Sequence, residues 1–276
     1  QRWLREESGL GEVTVAALLA EETRPRSEAM DGGLLTILRG VNTNPGADPE
    51  DMVAIRLWFD GERIISTRRR RLLSVEDLRA ALAAGNGPAT PAAVVVQLAD
   101  RLVARMSEVI ADIDERVAEL EESVIEADSR TLRPALADLR RQAIILRRYL
   151  APQREALFRL YADGAAWFTD IDRARLREVG DRITRYLEAL DAARERAALT
   201  AEELASRQAE LLNGRMYVLS LVAAVFLPLG FLTGLLGINV GGLPGVNNPH
   251  AFWFVVLLIA AVAVVQFILF RWRRWL

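Results

Sequence analysis

Residues 216–236 read MYVLSLVAAVFLPLGFLTGLL, 21 consecutive positions without a charged side chain. As a helix rising 1.5 Å per residue they extend about 30 Å, the thickness of a bilayer's hydrocarbon core. Residues 252–270, FWFVVLLIAAVAVVQFILF, form a second uncharged run of 19. Between them, residues 237–251 read GINVGGLPGVNNPHA, whose Gly, Pro and Asn content marks a turn. Two such runs placed end to end favour a transmembrane hairpin over a buried helical pair in a soluble core. The arginines orient it. Arg207 and Arg215 precede the first span, Arg271, Arg273 and Arg274 follow the second, and the connecting loop has no basic residue except the single histidine, His250. The positive-inside rule therefore puts both ends in the cytoplasm, with Trp253, Trp272 and Trp275 anchoring the span ends at the interface. Two helices cannot enclose a polar path, so any pore here needs several copies of the chain.

Upstream the composition changes. The 276 residues carry 35 basic and 37 acidic side chains, concentrated before residue 216, for a net charge of -2. A nucleic-acid binder needs a long basic surface, and this balance does not provide one. Every basic residue other than His250 is Arg, and there is no cysteine, which excludes disulfides, a Cys zinc cage and a thiol nucleophile. No phosphate loop, nucleophile–base pair or ligand cluster stands out, so neither an enzyme nor a bound cofactor is expected. Gln1 is not an initiator residue, so the chain is expected to be trimmed at its start; no signal-peptide pattern is seen there.

The first 70 residues alternate short apolar runs with turn signals. Strands are expected at 34–38 and 53–59, and Asp60-Gly61 turns the latter into a hairpin with 63–67. Asn44-Pro45-Gly46 marks a loop. Ser74 reads as an N-cap with Asp77 three residues on, and Gly85-Asn86-Gly87-Pro88 ends that helix. Helical periodicity follows over 91–127, carried by Leu98, Leu102, Met106, Ile110, Ile113, Val117 and Leu120. A second long helix is expected over 129–150, with a shorter one after Pro152. Residues 163–166 break the pattern, and Thr169 with Asp172 can cap the next start.

From Asp172 no breaker occurs until Gly214, which leads directly into the first span. A single helix of about 65 residues, on the order of 100 Å, exceeds what a globular core needs and reads as a stalk. Asp181, Glu188, Glu195 and Glu202 recur along it every seven residues and so fall near one face. In a symmetric bundle that face gives stacked acidic rings that concentrate cations at a pore mouth. The alternative is a solvated outer face with Arg182, Arg185 and Arg194 as partners. Further on, Asn213, Met216, Ser220, Ala223, Leu227, Gly230, Gly234 and Gly237 make a stripe that is mostly small or polar. Small residues also serve close helix packing without a pore. Asn213 and Ser220 favour a water-lined path, with Met216 and Leu227 as apolar constrictions.

Gly237-Ile238-Asn239 closes the first span, where the CorA-type metal-ion transporters carry Gly-Met-Asn. The run GINVGGLPG over 237–245 resembles the zinc-transporting ZntB branch, as do ETRPR at 22–26, LRGVN at 38–42 and NPGADPEDM at 44–52. The likeness spans nearly the whole chain. It implies an α+β fold: an αβα cytoplasmic domain over 1–171, a very long stalk helix over 172–215, and a two-helix transmembrane hairpin. The first span (216–236) then lines the pore, 237–251 is the external loop, 252–270 is the second span, and 271–276 is a basic cytoplasmic tail. It further implies a homopentameric funnel in the bacterial inner membrane, with Gly237-Ile238-Asn239 as selectivity filter and Gly237 and Asn239 forming its outer ring through carbonyl and amide oxygens. The cargo implied is divalent cation, zinc above all, with proton coupling; the sequence fixes neither the direction of transport nor the coupling. Magnesium-type members carry an acidic residue in the external loop, and 239–251 has none. With one His and no Cys, passage of a hydrated ion suits the chain better than a four-ligand zinc site. His250 reads as a helix-start residue; five copies around an axis could also hold zinc or a proton. A magnesium, cobalt or nickel channel of the same family, and a membrane-anchored coiled-coil scaffold or sensor, are the competing readings.

Overall fold

The computed structural model describes residues 1–124, 129–164, 166–237 and 248–273. Among them a four-stranded antiparallel meander, ordered β1-β2-β3-β4, comprises Arg26–Met30, Gly33–Gly40, Val53–Phe59 and Ile64–Arg68. The β3 bounds and the Asp60-Gly61 hairpin agree with the sequence reading, and Gly61 holds φ 94, a conformation that favours glycine. A Cβ at Gly61 would lie 2.5 Å from Trp167 Cδ1, so the turn also needs glycine for space. β1 was not expected: RSEAM has no β-branched residue. Its turn, Asp31-Gly32, nevertheless carries a hairpin signal, with φ of 50 and 72.

Helices cover both faces of the sheet. α1 (Arg2–Glu6) and α2 (Glu12–Leu19) bring Leu4, Val15 and Leu18 against Leu35, Trp58 and Ile65. The opposite face, with Leu34, Leu38, Ile55, Leu57 and Phe59, meets the main core built by the later helices. A sheet covered on both sides buries its strands continuously instead of alternately, and β2 is buried at seven of its eight positions.

α3 (Leu73–Ala83) starts one residue before Ser74, which corrects the expected cap. Leu72 is the N-cap residue, without a side-chain bond, and the buried Ser74 hydroxyl donates to the Arg101 carbonyl at 3.3 Å. Thr90 does cap α4 (Pro91–Ala104), accepting from the Ala93 N–H at 3.2 Å, and Pro91 sits where no N–H is required. The expected helix over 91–127 is two, with Arg105 separating α4 from α5 (Met106–Ser123); residues 125–128 lie outside the described residues.

α6 (Ser129–Asp163) runs through Pro134 and Pro152 without stopping, so the expected break at Pro152 is wrong. The flanking Leu146, Leu150, Ala156, Leu157 and Leu160 all bury on one side, and that packing outweighs one lost backbone bond. The Thr169–Asp172 capping box forms as read, with the hydroxyl donating to Asp172 Oδ2 at 2.7 Å and accepting from the Asp172 N–H at 3.2 Å. It opens α7 (Asp170–Leu236), 67 residues without interruption. The last helix is α8 (Ala251–Trp272). The chain divides into two compact units, Gln1–Leu204 and Ala205–Leu276.

Candidate functional site

Within the first unit, α7 buries Leu176, Val179, Ile183, Leu187, Leu190, Ala193 and Ala197 in the main core. Asp181, Glu188, Glu195 and Glu202 are exposed. Each follows or precedes that buried row by about half a turn, which places the column on the helix's outer side. The arginines named as partners serve other acids. Arg182 pairs with Asp100 of α4, Arg185 with Glu178 at 3.1 Å, and Arg194 approaches Asp191 at 3.9 Å. None of the four column carboxylates has an ion pair among the described residues.

Other ion pairs hold α7 in place. Arg196 bridges Asp114 at 2.7 Å and Glu121 at 2.5 Å on α5, and Arg147 of α6 reaches Asp191 at 2.7 Å. The Glu121 hydrogen bond, reinforced by both carboxylates' charge, pushes the Arg196 guanidinium above its ordinary value.

In the second unit, α8 packs on one face of the α7 span. Leu221, Ala224, Val225, Leu229 and Leu232 on the α7 span, and Ala251, Val255, Ile259, Val262, Ala263, Gln266 and Phe270 on α8, are the half-buried positions. Asn213, Met216, Ser220, Ala223, Leu227, Gly230 and Gly234 are exposed. At about 100° per residue this stripe lies roughly opposite the α8 face. The flanks between carry exposed Val218, Val222, Phe226 and Phe231, as a lipid-facing surface would. Both apolar segments meet the length and hydropathy of membrane spans, with mean hydropathy of 2.3 and 2.8 in their most apolar windows and no residue of those windows fully buried.

Gly237 ends α7 with its N–H donating to the Thr233 carbonyl at 2.9 Å. Ile238 and Asn239 lie outside the described residues. His250 is the N-cap residue of α8; its side chain makes no capping bond, and its N–H donates to Asn248 Oδ1 at 2.9 Å. Among the described residues no three His, Asp or Glu side chains converge as metal ligands. The stripe presents small and polar groups, and the column presents exposed carboxylates. Sequence reasoning passed over Gln266, whose Nε2 donates to the Ala224 carbonyl at 3.3 Å. A lone amide in an otherwise apolar span facing a helix with an internal proline was the available signal.

The CorA-like Mg2+ transporter protein family matches residues 1–274. This chain belongs to that family. Among its CorA-like relatives, the divalent cation transporter CmaX of Pseudomonas aeruginosa is 46% identical over 280 residues, covering 100% of this chain and 84% of its own. The zinc transport protein ZntB of Pectobacterium carotovorum is 38% identical over 276 residues, with the same coverage of 100% and 84%. The solved structure of full-length CmaX superposes with a TM-score of 0.85 at 44% identity, over 99% of this chain and 84% of that one. The resemblance drawn from GIN at 237–239 and the N-terminal blocks is thereby established for the CorA-like family, with ZntB among its relatives. Helices on both sides of a small sheet, a long helix and a C-terminal apolar helix are the CorA-like architecture in this chain.

Proposed function

We propose that this chain transports divalent metal cations, zinc foremost, by passing the hydrated ion along the axis of a homopentamer in the bacterial inner membrane, with uptake coupled to protons. The observation that carries the reading is the uncovered face of α7. Asn213, Ser220, Ala223, Gly230 and Gly234 lie away from α8, and lipid alone would favour large apolar residues there. Repeated around an axis, the face makes a water-accommodating wall with Met216 and Leu227 as apolar collars. Residues 237–239 follow as the filter, and their carbonyl and amide oxygens hydrogen-bond the ion's waters without stripping them. In this reading 1–171 is the cytoplasmic domain, 172–215 the stalk and 252–270 the outer span, with both termini cytoplasmic.

Zinc is favoured by kinship with ZntB and by an external loop that has no acidic residue to draw magnesium. His250 and the stalk carboxylates are the groups open to a proton route, since the spans contain no Asp, Glu, His, Arg or Lys. The column supplies cation attraction on the cytoplasmic side, where repetition around the axis stacks four acidic rings. Replacing Asp181, Glu188, Glu195 and Glu202 together by their amides is expected to raise the half-saturating zinc concentration roughly tenfold at low ionic strength, with the maximal rate little changed. The difference should shrink near 0.15 M salt, where charges are screened over about 8 Å. Zinc flux into vesicles with the stalk facing the zinc-containing side measures this, and an unchanged half-saturation at low salt contradicts an axis-facing column.

A further inference from the structure

Pro228 lies inside α7 and supplies no N–H. The carbonyl four residues earlier, that of Ala224, therefore loses its helical donor. Within a bilayer no water is available to replace that donor, and an unpaired carbonyl is costly. Thr233 does not help: its hydroxyl serves the Leu229 and Gly230 carbonyls, at 3.0 and 3.1 Å. The replacement comes from α8. Gln266 Nε2 donates to the Ala224 oxygen at 3.3 Å, the carbonyl that the proline releases.

Gln266 is also the one amide in 252–270, among Val, Leu, Ile, Ala and aromatic residues. Packing alone would be met by Leu or Met at that position. Its Oε1 is buried with no donor among the described residues, so the side chain bears a desolvated acceptor in making that single bond. Those two facts, a released carbonyl and a costly amide aimed at it, point to a role beyond filling space.

We infer that Gln266 is a positioning residue for the pore-lining helix. It holds the Ala224 carbonyl freed by Pro228 and so sets the bend and rotation of the segment beyond it, which carries Leu227, Gly230 and Gly234. This rests on the transport reading above, because those residues form a pore wall only in that reading. α8, otherwise an apolar outer span, thereby controls the geometry of the conducting one.

The test compares the full chain with Gln266→Met, Pro228→Ala and the double variant. Met keeps the volume and removes the donor. In Pro228→Ala the new N–H can bond the Ala224 carbonyl itself, so Gln266 becomes redundant. Zinc uptake into dye-loaded proteoliposomes and thermal unfolding in detergent are measured for all four proteins. Gln266→Met is expected to lower the maximal zinc flux about three- to tenfold, the range of strong interhelical hydrogen bonds, with half-saturating zinc unchanged. In the Pro228→Ala background the same substitution is expected to have little further effect on flux or midpoint. Equal losses in both backgrounds, or no loss beside the native proline, overturn the inference. If the unsubstituted protein carries no zinc, the transport reading fails separately. The thermal midpoints then decide the clamp: a Gln266→Met shift that depends on Pro228 upholds it, and an additive shift overturns it.

Discussion

Asn239→Ala is expected to abolish zinc uptake while leaving the oligomer assembled. In the pentameric reading each substitution removes five amides from the narrow outer ring. Hydrogen bonds between amide oxygens and the ion's hydration water are worth about 1 kcal/mol apiece. Five together amount to roughly 5 kcal/mol, enough to slow passage more than a thousandfold. The residue belongs to a Gly- and Pro-rich stretch of sequence, so assembly through α7 and the domain over 1–171 should persist. Flux in proteoliposomes and native mass in detergent check both halves. Wild-type flux in the variant would remove Asn239 from the filter.

The second large effect concerns folding. Trp58 is 1% exposed and sits between the sheet and α1 and α2 with Leu4, Val15, Leu18, Leu35 and Ile65. Its indole N–H donates to the Met30 carbonyl at 2.9 Å, and the Arg63 guanidinium stacks on the ring at 5.1 Å. Gly33 packs so closely that a Cβ there would lie 2.8 Å from the indole. Trp58→Ala therefore empties a site that cannot readily collapse and is expected to cost about 3–5 kcal/mol. The thermal midpoint should fall by about 10 °C. Val13→Ala on the exposed side of α2 is the control, with no measurable shift expected, since Val13 is 70% exposed. A Trp58→Ala midpoint close to wild type would mean that the small core under α1 and α2 contributes little to the fold.

The parts of this architecture that rest on long, uniform patterns were legible in the sequence. Runs without charge at 216–236 and 252–270 admit few alternatives, and the lack of any breaker after Asp172 foretold one helix through to the span. The Thr169–Asp172 box was read correctly because its chemistry is local. Short or tertiary-dependent elements were not legible. β1 has a weak strand composition and is held by its pairing with β2, while α2 carries the β-branched Val13, Thr14 and Val15 in eight residues and is held by Trp58. Pro152 was read by its local preference, which core packing overrode. Ser74 was read as a cap because its type favours caps, yet its hydroxyl bonds α4 across the fold.

The candidate site shows the same division. Seven-residue spacing was enough to place the acidic column on one face, whereas its lack of partners depended on where Asp100, Glu178 and Asp191 lie in space. The stripe on α7 followed from helical periodicity, but that it points away from α8 needed the packing of the hairpin. Gln266 has no periodic signature. Its meaning comes from the register that sets it against the Ala224 carbonyl.

Zinc uptake by the purified protein in proteoliposomes loaded with a zinc-sensitive dye, at matched pH and with the outside acidic, tests the central claim most directly. Zinc uptake that accelerates under the inward proton gradient and exceeds magnesium uptake is the expected result. Demonstrably oligomeric protein that admits magnesium but not zinc, or neither ion, would contradict it.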